Sequence, residues 1–166
     1  MFDSVKRPKL EHVFMNFARD LAKRGTCNQI GPTGKPRRAG AVITTGDFKN
    51  VLSIGYNGNY AGGPNKCDNP DANGEARCGC IHAEMNAIAK CDNWIKGKSL
   101  FVTSIPCALC SKLIINSGFS KVYIFLDSYS DVRHDGKRYL ENIKLLKKAR
   151  IEVFGQKEAN RDFFKL

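Results

Sequence analysis

The chain has 166 residues, 42% hydrophobic and 26% charged, a balance that fits one globular domain spanning 1–166. No apolar run approaches the roughly 18 residues a membrane span needs. The opening "MFDSVKRPKLEHVFMNFARD" spreads its charges and lacks the apolar core of a secretory signal, so the expected compartment is the cytoplasm.

Residues 10–23 place Val13, Phe14, Phe17 and Leu21 at helical spacing, and Gly25 ends the pattern. "AGAVITT" (39–45) and "NVLSIGYN" (50–57) are β-rich runs joined by "GDFK", a hairpin signal. Residues 58–79 are rich in glycine, asparagine and proline, and so long an irregular connection is usually functional. "CIHAEMNAIAK" (80–90) opens a second helix running to about Asp92, with Ile81, Met85 and Ile88 as its expected apolar stripe. "SLFVTS" is a strand, "CALCSKLIINS" a helix closed by Gly118, and "KVYIFL" a fully apolar strand. An amphipathic helix over 137–149 then leads to a last strand, "IEVFG". A crossover helix makes the strands it joins parallel. The expected fold is α/β: three layers, with helices on both faces of a mixed sheet of about five strands, the last two parallel.

The net charge of +11, from 27 Lys and Arg against 16 Asp and Glu, favours anionic partners. Part of that charge is ordinary solvated surface, as in "KLLKKAR". Seven cysteines in a chain expected to be cytoplasmic point to metal or catalysis rather than disulfides. Cys107 and Cys110 follow Pro106 at a predicted helix start, where i and i+3 share a face and thiolates are favoured. That spacing also suits redox chemistry. His82 tips the balance, because two thiolates and one imidazole make a three-ligand zinc site with the fourth position open. Glu84 can act there as acid and base if the site lies over the end of its helix. The competing reading is a core histidine followed by a capping glutamate.

H-x-E…P-C-x-x-C is the signature of the zinc nucleobase deaminases. Over nearly its whole length the chain resembles the deoxycytidylate (dCMP) deaminase family. The matching segments are "GYNGNYAGGPNKCD", "CIHAEMNAIAK", "FVTSIPCALCSKLIINSGFSKVYIFLDSY" and "IEVFG". "GYNG" followed by "AGG" and "CD" narrows the likeness to phage-type members, whose compartment is the host cytoplasm. The resemblance implies a cytidine deaminase-like fold and hydrolytic deamination of dCMP to dUMP with release of ammonia. In that reading His82, Cys107 and Cys110 hold the catalytic Zn2+, and Glu84 moves the protons. Asn57 holds the sugar hydroxyl and Tyr129 contacts substrate, although asparagine also suits a turn such as "YNGN".

The resemblance further implies a second, structural Zn2+ on Cys27, Cys67, Cys78 and Cys80, with extra residues between Cys27 and the following strand as a departure in spacing. Cys91 reads as a small buried hydrophobe. Relatives of this type are commonly homohexamers, activated by dCTP and inhibited by dTTP, each bound with Mg2+ near the GYNG loop. Lys35, Arg37, Arg38, Gly58 and Asn59 are the corresponding candidates here, since arginine and lysine suit phosphate oxygens. Alternatives are a bifunctional dCMP/dCTP deaminase, a polynucleotide (tRNA) deaminase, and a non-enzymatic zinc-stabilised nucleic-acid module. No aromatic-basic stacking surface supports the polynucleotide reading, so neither nucleic acid nor membrane is an expected partner.

Overall fold

The computed structural model describes residues 7–30, 34, 36–69, 78–126, 136–157 and 160–166. In chain order the elements are α1 (Leu10–Ala22), β1 (Gly40–Thr44), β2 (Val51–Tyr56), α2 (Ala83–Ala89) and β3 (Lys98–Val102). There follow α3 (Ala108–Asn116), β4 (Phe119–Phe125), α4 (Gly136–Lys148), β5 (Glu152–Lys157) and β6 (Asn160–Lys165). The strands form one sheet in the order β2-β1-β3-β4-β5-β6. β1 is antiparallel to β2 and β3, whereas β3, β4 and β5 are mutually parallel. The parallel pairing of β4 with β5 follows from the α4 crossover, as the sequence predicts. One strand more than expected is present: β6 adds antiparallel to the β5 edge.

Alternation along the strands divides the core into two layers. Ala41, Ile43, Leu100, Val102, Val122, Ile124 and Val153 pack with Ala83, Ala87 and Ile88 of α2, Ile114 of α3, and Ile143 and Leu146 of α4. The intervening Val42, Phe101, Tyr123 and Phe125 pack instead with Met15, Ala18 and Leu21 of α1. On that second face Phe101, Tyr123 and Phe154 stack across β3, β4 and β5 with ring centroids 4.6 and 4.8 Å apart. Such pairs add about 0.5–1.5 kcal/mol each beyond their buried area.

Two helices present to the core a face rotated from their apolar stripes, although Leu21 and Ile88 are buried as expected. α1 buries Met15, Ala18 and Leu21, while Val13 and Phe17 are exposed. α2 buries Ala83, Glu84, Ala87 and Ile88, leaving Ile81 and Met85 only partly covered. Close approach sets both phases. Gly40 lies against the backbone of Ala18 and Ala22, and Gly55 against the backbone of Ala83 and Ala87. A helix can come that near a strand only with small residues on the facing side. A Cβ at position 55 would collide with the Ala83 carbonyl oxygen and stand 2.6 Å from the Ala87 nitrogen. Gly55→Ala is therefore expected to lose about 1–3 kcal/mol by overpacking. A urea midpoint equal to that of the parent chain would contradict this close-packing account.

Candidate active site

His82 is the N-cap of α2, with extended backbone (φ −70°, ψ 154°), and so stands just outside the helix that Glu84 has entered. That placement resolves the spacing problem. Two residues apart within a helix point in divergent directions, but a residue before the first turn and one inside it can share the helix end. The end itself is held from two sides. Ile81 pairs with Gly58, by N–H···O bonds of 2.7 and 3.1 Å, and Asn86 Nδ2 donates to the Tyr56 carbonyl at 2.8 Å. Asn86 escapes sequence reasoning. Its signal is an amide in a short helix whose other residues, Glu84 apart, are apolar.

Cys107 is the N-cap of α3, and its Sγ accepts from the Cys110 backbone N–H at 3.4 Å. His82 Nδ1 lies 3.6 Å from Cys107 Sγ and 3.4 Å from Cys110 Sγ. One zinc with N and S ligands at about 2.0–2.1 and 2.3 Å sets tetrahedral N···S distances near 3.6 Å. The donor set thus fits zinc in identity, number and spacing. The Cys107 thiol is pulled down to about 4, first by the hydrogen bond from the Cys110 thiol and further by His82, with burial opposing. Cys110 is pushed up by the same bond and by burial. Metal binding displaces such a shared proton.

Glu84 is 3% exposed. Burial pushes its carboxyl above the usual carboxylate range, while the charge of His82 pulls it back. The neighbouring Cys110 thiol also pulls it down, which sets an acid/base group beside the three candidate ligand atoms.

The other four candidate cysteines form a second cluster, all buried. Four sulfurs around one zinc at about 2.3 Å stand about 3.8 Å apart; the distances here are 3.7 Å (Cys27–Cys67), 4.0 Å (Cys27–Cys78) and 3.3 Å (Cys67–Cys80). Cys27 thus joins the group despite its altered spacing. Burial pushes the Cys27 thiol up to about 12. At Cys67 burial acts the same way but is outweighed by the Asn28 N–H and neighbouring thiols, so that thiol is lowered. These two groups are the His/Cys/Asp/Glu clusters with metal-ligand spacing among the described residues. Cys91 stands apart from both and is buried, as expected of a small hydrophobe.

Asn57 is buried at the end of β2, its Oδ1 accepting from Ala39 N at 2.8 Å and its Nδ2 donating to the Arg37 carbonyl. The side chain therefore braces the segment entering β1. Arg37 is half-buried and donates to Gln29 Oε1 at 2.9 Å, whereas Arg38 is exposed and reaches the Lys23 carbonyl at 3.4 Å. Gly58 is buried, and a Cβ there would collide with the Thr26 hydroxyl. Asn59 Nδ2 donates to Asp68 at 2.9 Å. Lys35 and Tyr129 lie outside the described residues.

The profile of the cytidine and deoxycytidylate deaminase zinc-binding region matches residues 8–126. The chain belongs to this deaminase family. The deoxycytidylate deaminase of Mycobacterium phage D29 is 32% identical over 131 residues, covering 71% of this chain and 95% of the phage protein. That of Saccharomyces cerevisiae is 32% identical over 158 residues, or 90% of this chain. The chain matches 45% of that yeast protein's length. The crystal structure of the dCMP deaminase from cyanophage S-TIM5 in complex with dCMP and dUMP has a TM-score of 0.69 and 26% identity. The match covers 91% of this chain and 99% of that one. Among the described residues, no helix is long and apolar enough to cross a membrane.

Proposed function

We propose that this deaminase converts dCMP and water to dUMP and ammonia, with His82, Cys107 and Cys110 as zinc ligands and Glu84 as the proton carrier. The observation that carries the reading is the buried Glu84 carboxyl set against a His-Cys-Cys group with zinc spacing. Zinc on this donor set supplies a Lewis acid that lowers the pKa of water from about 16 toward 7. Glu84 accepts one proton of the attacking water and delivers it to the ring nitrogen N3 as the oxygen adds at C4. The second water proton passes through the same carboxylate to the departing amino group, so ammonia leaves and the C4 carbonyl remains. Burial of Glu84 keeps bulk water from competing for these transfers. Asn57 and Tyr129 are the candidates for holding substrate. Ammonia release from dCMP, dCTP, cytidine and a cytosine-containing oligonucleotide tests the assignment. dCMP should turn over fastest, and preferential release from the oligonucleotide would replace this reading with polynucleotide deamination.

The four-cysteine cluster suits a second, structural zinc, since a closed tetrahedral set leaves no open position for chemistry. Regulation and assembly complete the proposal. The protein works as a homohexamer that dTTP inhibits and dCTP activates, each with Mg2+. Two features support an effector site near residues 58–59. Arg38 is an exposed cation on the segment that Asn57 braces. The Gly58–Ile81 pairing links that loop to the residue before His82. An effector shifts a quaternary equilibrium only by its differential affinity for the two states. Arg38→Ala should weaken both triphosphate effects and leave the basal rate largely intact, because no zinc ligand is altered. Superimposed wild-type dCMP saturation curves with and without each triphosphate plus magnesium would remove the regulatory site.

A further inference from the structure

Among the described residues α4 contributes no metal-ligand candidate, yet one of its side chains reaches the loop that carries Cys107. Asn142 is 5% exposed and sits beside Ile143 and Leu146 on the buried side of α4. An amide placed among aliphatic residues is costly unless it is hydrogen-bonded. Here Nδ2 donates to the Pro106 carbonyl oxygen at 3.1 Å. Pro106 immediately precedes Cys107, and its carbonyl belongs to the planar peptide unit that carries the Cys107 nitrogen. Holding that oxygen fixes the plane from which Cys107 departs, and with it the direction in which the N-cap presents Sγ. α2 fixes His82 from one side through the Gly58–Ile81 pairing and Asn86. The hydrogen bond from Asn142 is the matching restraint on the opposing ligand.

We propose that Asn142 is a positioning residue for the Cys107 ligand, setting its sulfur against His82 Nδ1. The inference rests on the reading of His82, Cys107 and Cys110 as metal ligands. Groups that orient ligands in this way typically change metal affinity or activity by about 10–100-fold.

The test uses the full chain loaded with Co2+, whose visible absorption reports ligand geometry, together with zinc affinity measured by chelator competition. The four-cysteine cluster, built on other segments, serves as internal reference. Asn142→Leu, close in shape but without a donor, should shift the cobalt bands of the His-Cys-Cys site and weaken its zinc affinity by about 10-fold or more. Asn142→Gln, which keeps an amide donor, should restore part of both. Leu146→Ala on the same helix should lower the melting temperature and leave the cobalt bands unchanged. Should Asn142→Leu fail to fold, Asn142→Ser, whose hydroxyl is too short to reach the carbonyl, carries the same expectation. Wild-type bands and affinity in the Asn142 variant overturn the proposal, as does an equal band shift in Leu146→Ala. Failure of the wild type to take cobalt on the three ligands overturns the ligand reading itself.

Discussion

Glu84→Gln is expected to keep its fold and its metal while losing about 10²- to 10⁴-fold in dCMP turnover, the usual contribution of a positioned acid/base. Glutamine has the size and shape of glutamate, so packing at this 3% exposed position on α2 is retained. The three candidate ligand atoms belong to His82, Cys107 and Cys110, and none is altered. What the amide lacks is a site that takes up a proton and gives it back. Burial then magnifies the loss, because no bulk water stands by to replace the carboxylate. Turnover, zinc content and circular dichroism measured on the same sample separate the possibilities. Native turnover in this variant would remove Glu84 from the mechanism, and loss of zinc would mean that it holds the metal site rather than moving protons.

The second large effect concerns the four-cysteine cluster. Elemental analysis of the wild type should give close to two zinc ions per chain, one for each cluster. Cys67 stands within 3.7 Å of Cys27 and 3.3 Å of Cys80, so Cys67→Ser removes a shared ligand from the middle of the group. Loss of a structural metal ranks among the few changes costing more than about 4 kcal/mol, which at roughly 2–4 °C per kcal/mol lowers the melting temperature by about 10 °C. The cluster ties the chain after α1, the long loop and the approach to α2 together, so its loss loosens the scaffold more than it alters the chemistry. A stoichiometry of one in the wild type, unchanged in Cys67→Ser, would contradict a second metal.

The parts of this molecule that were legible in its sequence are those with a local signal. Val, Ile and Phe runs mark the first five strands, Gly118 with φ of 76° ends α3 as expected, and cysteine and histidine spacing marks the His82, Cys107 and Cys110 group, whereas the four-cysteine group was legible only through the family resemblance. β6 was not legible. Its "NRDFFK" is charged and at a sheet edge, where neither face demands strict alternation. The faces of α1 and α2 were legible only in part, at Leu21 and Ile88, for another reason. Hydrophobicity suggests which residues prefer burial, but the close approach at Gly40 and Gly55 turns Ala18, Ala83 and Ala87 to the sheet and leaves Val13, Phe17, Ile81 and Met85 at least partly uncovered. Asn57 shows the limit at the site. The same amide that could hold a sugar hydroxyl braces the backbone of residues 37 and 39, a contact between positions 18 and 20 apart in sequence. Asn142 likewise acts across 36 residues, beyond any spacing rule.

Hydrolysis of dCMP at this site has one direct signature, the origin of the oxygen. Purified zinc-loaded protein should be incubated with dCMP in water enriched in oxygen-18, and the product analysed by mass spectrometry alongside the ammonia released. The expected product is dUMP carrying one heavy oxygen at C4, with one ammonia formed per nucleotide converted. Unchanged dCMP, or dUMP without the label, would contradict the account.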